Sequence, residues 1–169
     1  MTISMYQASA PVFVKMLGNL KGILEKAAAH AAAKKIDESA FLAARLFPDM
    51  LPFTRQIHIA TDFARGTCAR LAGAEPPSID ENEKSFAELI SRVDRSIDYI
   101  KSVKAPAIDG SEGREIVRQV RGAPVTFTGQ NYLLKYALPN FYFHVSMAYA
   151  LLRQGGVDIG KMDFIGSLD

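Results

Sequence analysis

The chain has 169 residues, of which 49% are hydrophobic and 22% charged, with a formal net charge of +2. That length suits one domain, residues 1–169, with a continuous core, and the composition excludes a disordered or fibrous chain. So small a charge argues against a nucleic-acid partner, and no apolar run reaches the roughly 18–20 residues that span a bilayer.

The first helical pattern runs from about Ser4 to Ala33, with Phe13, Met16, Leu17, Leu20, Leu24 and Ala27 as its apolar stripe. Pro11 either follows a start near Ser9 or kinks a helix that begins earlier. Asp37 is placed to cap a short helix, Glu38 to Leu46, which Phe47-Pro48 breaks. A second long helix covers Pro52 to Leu71, with Phe53, Ile57, Ala60, Ala64, Cys68 and Leu71 on one face and Gly73 and Pro76-Pro77 beyond its end. The third starts at the capping-box spacing Ser78-Ile-Asp-Glu81 and carries Phe86, Ile90, Val93, Ile97 and Ile100 as far as Val103. Residues 104–113 read as a loop.

Ile116-Val117, Val120 and Val125-Thr126-Phe127 flank Arg121-Gly122-Ala123-Pro124, the pattern of a small β-hairpin with a loose turn. Thr128 caps the fourth helix, Pro139 kinks it, and Gly155-Gly156 ends it before a short tail. Four amphipathic helices with one-sided stripes pack most simply as an all-α four-helix bundle, and the long connection before the last helix allows a crossover.

Familiar catalytic signatures are missing: there is no phosphate-binding glycine loop, Gly-x-Ser-x-Gly, His-Glu-x-x-His or Cys-x-x-Cys. The single Cys68 cannot form an internal disulfide and reads as a structural thiol. The N-terminus has no basic segment followed by an apolar run, so the expected location is cytoplasmic.

Chemistry therefore rests on three histidines. His30, in the alanine-rich end of the first helix, reads as solvated. His58 falls at about 140° from Phe53, off the apolar stripe, and reads as a surface side chain; Gln56, at about −60°, flanks the stripe, and Asp62 lies near 180°. His144 is the strongest candidate. Taking it as zero on its helix, Asn140 falls at about −40°, Leu151 at about −20° and Ala137 at about +20°, so two polar side chains point where apolar ones belong. Buried, each needs a partner, since an unpaired polar group costs roughly 1–3 kcal/mol. Tyr136, at about −80°, borders the same hollow, which is expected to be lined by Asn140, His144, Tyr136 and Gln56. Tyr6, Tyr132, Tyr136 and Tyr142 read as packing residues with hydroxyls at the bundle rim.

The segments Leu138-Pro-Asn-Phe-Tyr-Phe-His144, Ala148-Tyr-Ala-Leu-Leu-Arg153 and Gly155-Gly-Val through Gly160-Lys161 resemble an uncharacterised bacterial family of the DinB-like superfamily. Ser4-Met-Tyr-Gln-Ala8, Met16-Leu-Gly-Asn-Leu20 and Ala44-Arg-Leu-Phe-Pro-Asp-Met50 carry the same resemblance. It implies a DinB-like four-helix bundle with a long crossover, here with a β-hairpin inserted before the last helix, and a homodimer. It also implies a divalent metal held by a helix-two histidine and a His-x-x-x-His pair on the last helix, with an Arg nine residues further on. His144 and Arg153 match that spacing, Asn140 takes the place of the first histidine, and His58 lies near the helix-two position.

Two functions follow as expectations. One is a bundle protein with a polar small-molecule pocket around His144 and Asn140, no complete metal triad and no certain cofactor. The other is a hydrolase or thiol-dependent transferase in which His58, His144 and a third donor (Gln56, Asp62 or Asn140) hold zinc or nickel.

Overall fold

The computed structural model describes residues 2–168. Helix α1 spans Ala10–Lys34 and keeps Pro11 in its first turn, where the missing N–H has no helical partner to lose. Of the two starts open to it the helix takes the one near Ser9, whose hydroxyl donates to the Met5 carbonyl at 2.7 Å. All six residues of its predicted stripe are buried. Helix α2, Glu38–Leu42, has the expected cap, with the Asp37 carboxylate accepting from the Ser39 N–H at 2.8 Å, but it stops four residues before Leu46. Helix α3, Phe53–Leu71, buries every position of its predicted stripe.

The start of the next helix differs from expectation by seven residues, from a cap at Ser78 to one at Ser85. Helix α4 spans Phe86–Ser102, and the Ser85 hydroxyl accepts from the Glu88 N–H at 3.2 Å. Ser85-Phe-Ala-Glu88 has the same capping-box spacing as Ser78–Glu81 and sits directly before the apolar stripe, so it wins. Residues 74–84 are left without regular structure, and this has consequences for the site. One more turn of helix, α5 (Ala105–Ile108), lies within the expected loop.

Strands β1 (Glu115–Val120) and β2 (Ala123–Thr128) pair antiparallel from Glu115↔Thr128 to Val120↔Ala123. The turn is tight, not loose: Arg121 and Gly122 have φ of 52° and 82°, the left-handed pair that matches strand twist. Helix α6 (Gly129–Asn131) follows, then a π-helical turn, Tyr132–Ala137, then helix α7, Leu138–Gln154. The sequence implied one kinked helix here. Pro139 cannot donate to a carbonyl one turn back, and the wider turn placed directly before it absorbs the mismatch. Helix α8, Lys161–Ile165, packs on α1, where Lys26 reaches Asp163 at 2.6 Å.

The long helices α1, α3, α4 and α7 surround one apolar core. Helix α1 lies along α4, α3 lies along α7, and α3 also touches α4. Helix α3 is thus shared by two different seams, one facing α7 and one facing α4.

Candidate functional site

Both seams of α3 carry buried polar groups. On the α7 side, Gln56 and His144 meet: the Gln56 Oε1 lies 2.8 Å from the His144 Nδ1, and the residues are 2% and 9% exposed. The Gln56 Nε2 donates to the Leu51 carbonyl at 2.9 Å, which fixes the amide with its oxygen toward the ring. An amide oxygen only accepts, so Nδ1 carries the proton and Nε2 keeps the lone pair. Burial pushes the His144 pKa down to about 4, so the imidazole is neutral at pH 7. Its ring is nearly parallel to Phe63, centroids 6.4 Å apart, and edge-on to Phe143 at 5.2 Å.

Asn140 is half-buried, and its Nδ2 donates to the Tyr136 carbonyl at 2.7 Å. Its amide thereby supports the backbone where the π-turn gives way to α7. Tyr136 stacks edge-on against Phe63 at 5.5 Å. Phe63, which carried no sequence signal, is thus the common neighbour of His144 and Tyr136.

On the α4 side, His58 is 2% exposed, not a surface side chain. Two residues along a helix are about 200° apart, so with Gln56 turned to α7 the His58 ring must face away. The irregular segment 74–84, expected to be helical from Ser78, covers it. The His58 Nε2 lies 2.8 Å from Glu83 Oε2, although neither atom has a well-aligned hydrogen bond. Arg55 approaches Nδ1 at 3.4 Å. Burial, reinforced by Arg92, lowers the His58 pKa despite the Glu83 and Glu81 carboxylates.

Arg92, fully buried, organises this seam. It donates to Thr61 Oγ1 (2.9 Å), the Asp80 carbonyl (2.9 Å), Glu83 Oε1 (3.1 Å) and Asp62 Oδ1 (2.9 Å). Burial alone would raise the Glu83 carboxyl; its own backbone N–H, Arg92 and His58 together hold it below its ordinary value. Arg92, Glu83 and Arg65 were not singled out in the sequence. A signal existed for two of them. Leu89–Arg92–Ser96–Ile100 and His58–Thr61–Arg65–Cys68 step by three and four, and every member is buried.

His30 is half-buried, edge-on to Phe41 at 6.0 Å, rather than solvated. Tyr132 is fully buried rather than at the rim, its hydroxyl 3.3 Å from Arg70 Nη1. Arg153 is exposed and reaches the tail at Asp158, 3.7 Å away. Asp62 binds Arg65 and Arg92, on the α4 side of α3 and away from His144. Cys68 is fully buried, and desolvation pushes its thiol up to about 12.

A metal was the chemistry implied by the resemblance, and the donor set does not fit it. His144 and His58 face different seams of α3, and Glu83 rather than His144 meets the His58 ring. Gln56 directs its oxygen at the His144 N–H, not at a shared point with the Nε2 lone pair. Among the described residues no group of three or more His, Cys, Asp or Glu side chains is arranged to hold an ion.

A cavity of about 440 Å³ lies on the outer side of α3, between Arg55, Asp62, Phe63, Arg65 and Arg70 on the helix and the segment 76–79, Arg118 and Tyr132 across from it. None of the four residues expected to line a pocket lines this one; Phe63 links the cavity to His144.

A mostly helical protein with a small two-stranded sheet and a buried Gln–His pair is what the geometry defines. Residues 5–165 match the family described as "Domain of unknown function (DUF1993)", and the chain belongs to it. It is also similar to a DinB family member protein from Shewanella denitrificans known from a crystal structure, with 35% sequence identity, 96% of this chain and 92% of that one covered, and a TM-score of 0.90. No curated protein matches the chain. Among the described residues no helix is long and apolar enough to cross a membrane.

Proposed function

We propose that this chain is a DinB-like four-helix bundle with a long crossover that works as a cytoplasmic small-molecule-binding protein without a metal triad. The observation that carries the reading is the 2.8 Å contact between Gln56 Oε1 and His144 Nδ1. It gives a neutral imidazole with a known tautomer, whose Nε2 accepts a hydrogen bond from a donor on the ligand while Phe63 and Phe143 flank the ring. One imidazole beside two amides is a weak set for zinc or nickel, because amide oxygens are neutral and hard. Homodimerisation belongs to the same proposal. The exposed Tyr142 and Phe143 of α7 and Phe47 in the α2–α3 connection support it, and sedimentation at micromolar concentration tests it.

A second reading, a divalent-metal hydrolase or thiol-dependent transferase using His58 and His144, has one supporting feature. An imidazole whose Nδ1–H is held by an oxygen presents Nε2 in the manner of metal-binding histidines. Elemental analysis of protein purified without an affinity tag decides between the two. Metal-free protein, with His144→Ala unchanged in fold and metal content, is the expected result. Stoichiometric zinc or nickel that disappears in His144→Ala overturns the binding-protein reading.

A further inference from the structure

The cavity on α3 is built from a regular face of that helix. Arg55, Ile59, Asp62, Gly66 and Arg70 recur at three- and four-residue steps, and all but Gly66 line the cavity. Gly66 explains how the face becomes hollow: a Cβ there would overlap the Arg70 guanidinium, which lies across the glycine. Glycine within a helix is destabilising relative to alanine, so its presence at this point is what gives Arg70 its place. The facing wall comes from Pro76, Pro77, Ser78 and Ile79, with Arg118 of β1 and Tyr132 beside it.

The charge of this lining is unbalanced. Four guanidiniums (Arg55, Arg65, Arg70 and Arg118) meet two carboxylates (Asp62 and Glu81), an excess of two positive charges. Both carboxylates already have partners: Glu81 pairs with Arg55, and Asp62 binds Arg65 at 2.7 Å and Arg92 at 2.9 Å. Among the described residues Arg70 and Arg118 make no ion pair, and the carboxylates of Glu75 and Glu115 line a neighbouring hollow instead. Arg65 is 4% exposed, yet its Nε and Nη1 have no hydrogen-bond partner, and neither has the buried Nε of Arg118. Buried charged N–H groups are costly to leave unpaired, so three such donors around one hollow call for an acceptor.

We infer that this cavity is a binding site for a phosphate monoester of a small apolar or aromatic compound. Arg65, Arg70 and Arg118 hold the phosphate, with the Tyr132 hydroxyl positioning Arg70, and Ile59, Phe63, Pro77 and Ile79 enclose the body. A phosphate monoester carries close to two negative charges at neutral pH, equal to the excess in the lining, and guanidinium forks match its oxygens. A sulfate monoester or a carboxylate shares the oxyanion chemistry but carries only one negative charge. The site is distinct from the Gln56–His144 pair, since neither residue lines the cavity, although Phe63 borders both.

Calorimetric titration of the full chain at low ionic strength tests this, with phenyl phosphate, inorganic phosphate, benzoate and phenol as probes. Phenyl phosphate should bind best, inorganic phosphate more weakly and phenol not at all, with affinity falling as salt is added. Arg70→Gln and Arg118→Gln should each weaken phenyl phosphate by about tenfold or more, the loss of a charge-assisted bond. Gly66→Ala should do the same by displacing Arg70. Arg118 stands on the hairpin outside the core, so its variant reports on binding even where an α3 variant folds poorly. Unchanged binding in both arginine variants, no binding of either phosphate compound, or benzoate binding more tightly than phenyl phosphate would each overturn the inference. So would loss of binding in His144→Ala with retention in Arg118→Gln, which assigns the ligand to the other seam.

Discussion

At the scale of single residues, burial against opposite sides of α3 keeps two imidazoles neutral, His144 of α7 and His58 of α3 itself. For His144 the cause is burial against Phe63 and Phe143, with Gln56 supplying an acceptor that leaves no need for charge. The consequence for stability has a definite sign. Unfolded, the ring binds a proton below pH about 6.5; folded, it resists until about 4, so the unfolded chain holds more protons in between. Stability is therefore lost as pH falls through this window, by up to about 3 kcal/mol from His144 alone. His58 acts in the same direction, and Glu83, held low, adds its loss as pH drops through its folded value. Urea unfolding at several pH values between about 7 and 4 should show a shallower fall for His144→Gln than for the parent; parallel curves would refute the assignment. Cys68 is the simpler case. A thiol fully buried and pushed up to about 12 should not react with a disulfide reagent in native protein, and should react at once in denaturant.

At the scale of elements, each departure from the expected boundaries traces to local competition. Two capping boxes stood seven residues apart, and the one adjoining Phe86 prevailed because only there does the cap meet the apolar stripe. Freed from helix, residues 74–84 lie over α3 and bring Asp80, Glu81 and Glu83 to Arg92, Arg55 and His58. The hairpin is anchored at its other end by Gly129. A Cβ there would overlap the Ser111 carbonyl oxygen, and the next residue, Gln130, donates its N–H to the Glu112 carbonyl at 3.0 Å. Gly129→Ala should therefore cost about 1–3 kcal/mol, visible as a lowered melting temperature, because the obstacle is backbone and cannot rotate away. A melting temperature equal to the parent's would mean that this junction yields freely.

At the scale of the whole molecule, the α3–α4 seam carries the buried Arg92–Glu83 pair as well as apolar contacts. Arg92→Met should destabilise by about 3–5 kcal/mol, since it strands the buried Glu83 carboxylate without its guanidinium. Lys21→Ala, which breaks a pair with Asp94 that is largely open to solvent, should cost at most about 1 kcal/mol. Comparing the two by chemical denaturation checks the claim; similar values would deny Arg92 its organising part.

The amino-acid sequence by itself settled what depends on neighbours along the chain. Apolar steps of three and four placed the buried faces of α1, α3 and α4, Asp37 marked a cap, and the turn residues marked the hairpin. It also placed His144 inward and Gln56 on the flank of its stripe, because a helix repeats every 3.6 residues wherever it is packed. The tertiary fold alone decided which polar groups meet. His58 looked like a surface ring until segment 74–84 covered it, and the arginines of α3 and β1 seemed scattered until helix, connector and hairpin closed around one hollow. Side chains separated by tens of residues share a site only once chain packing brings them together, and no periodicity records that distance.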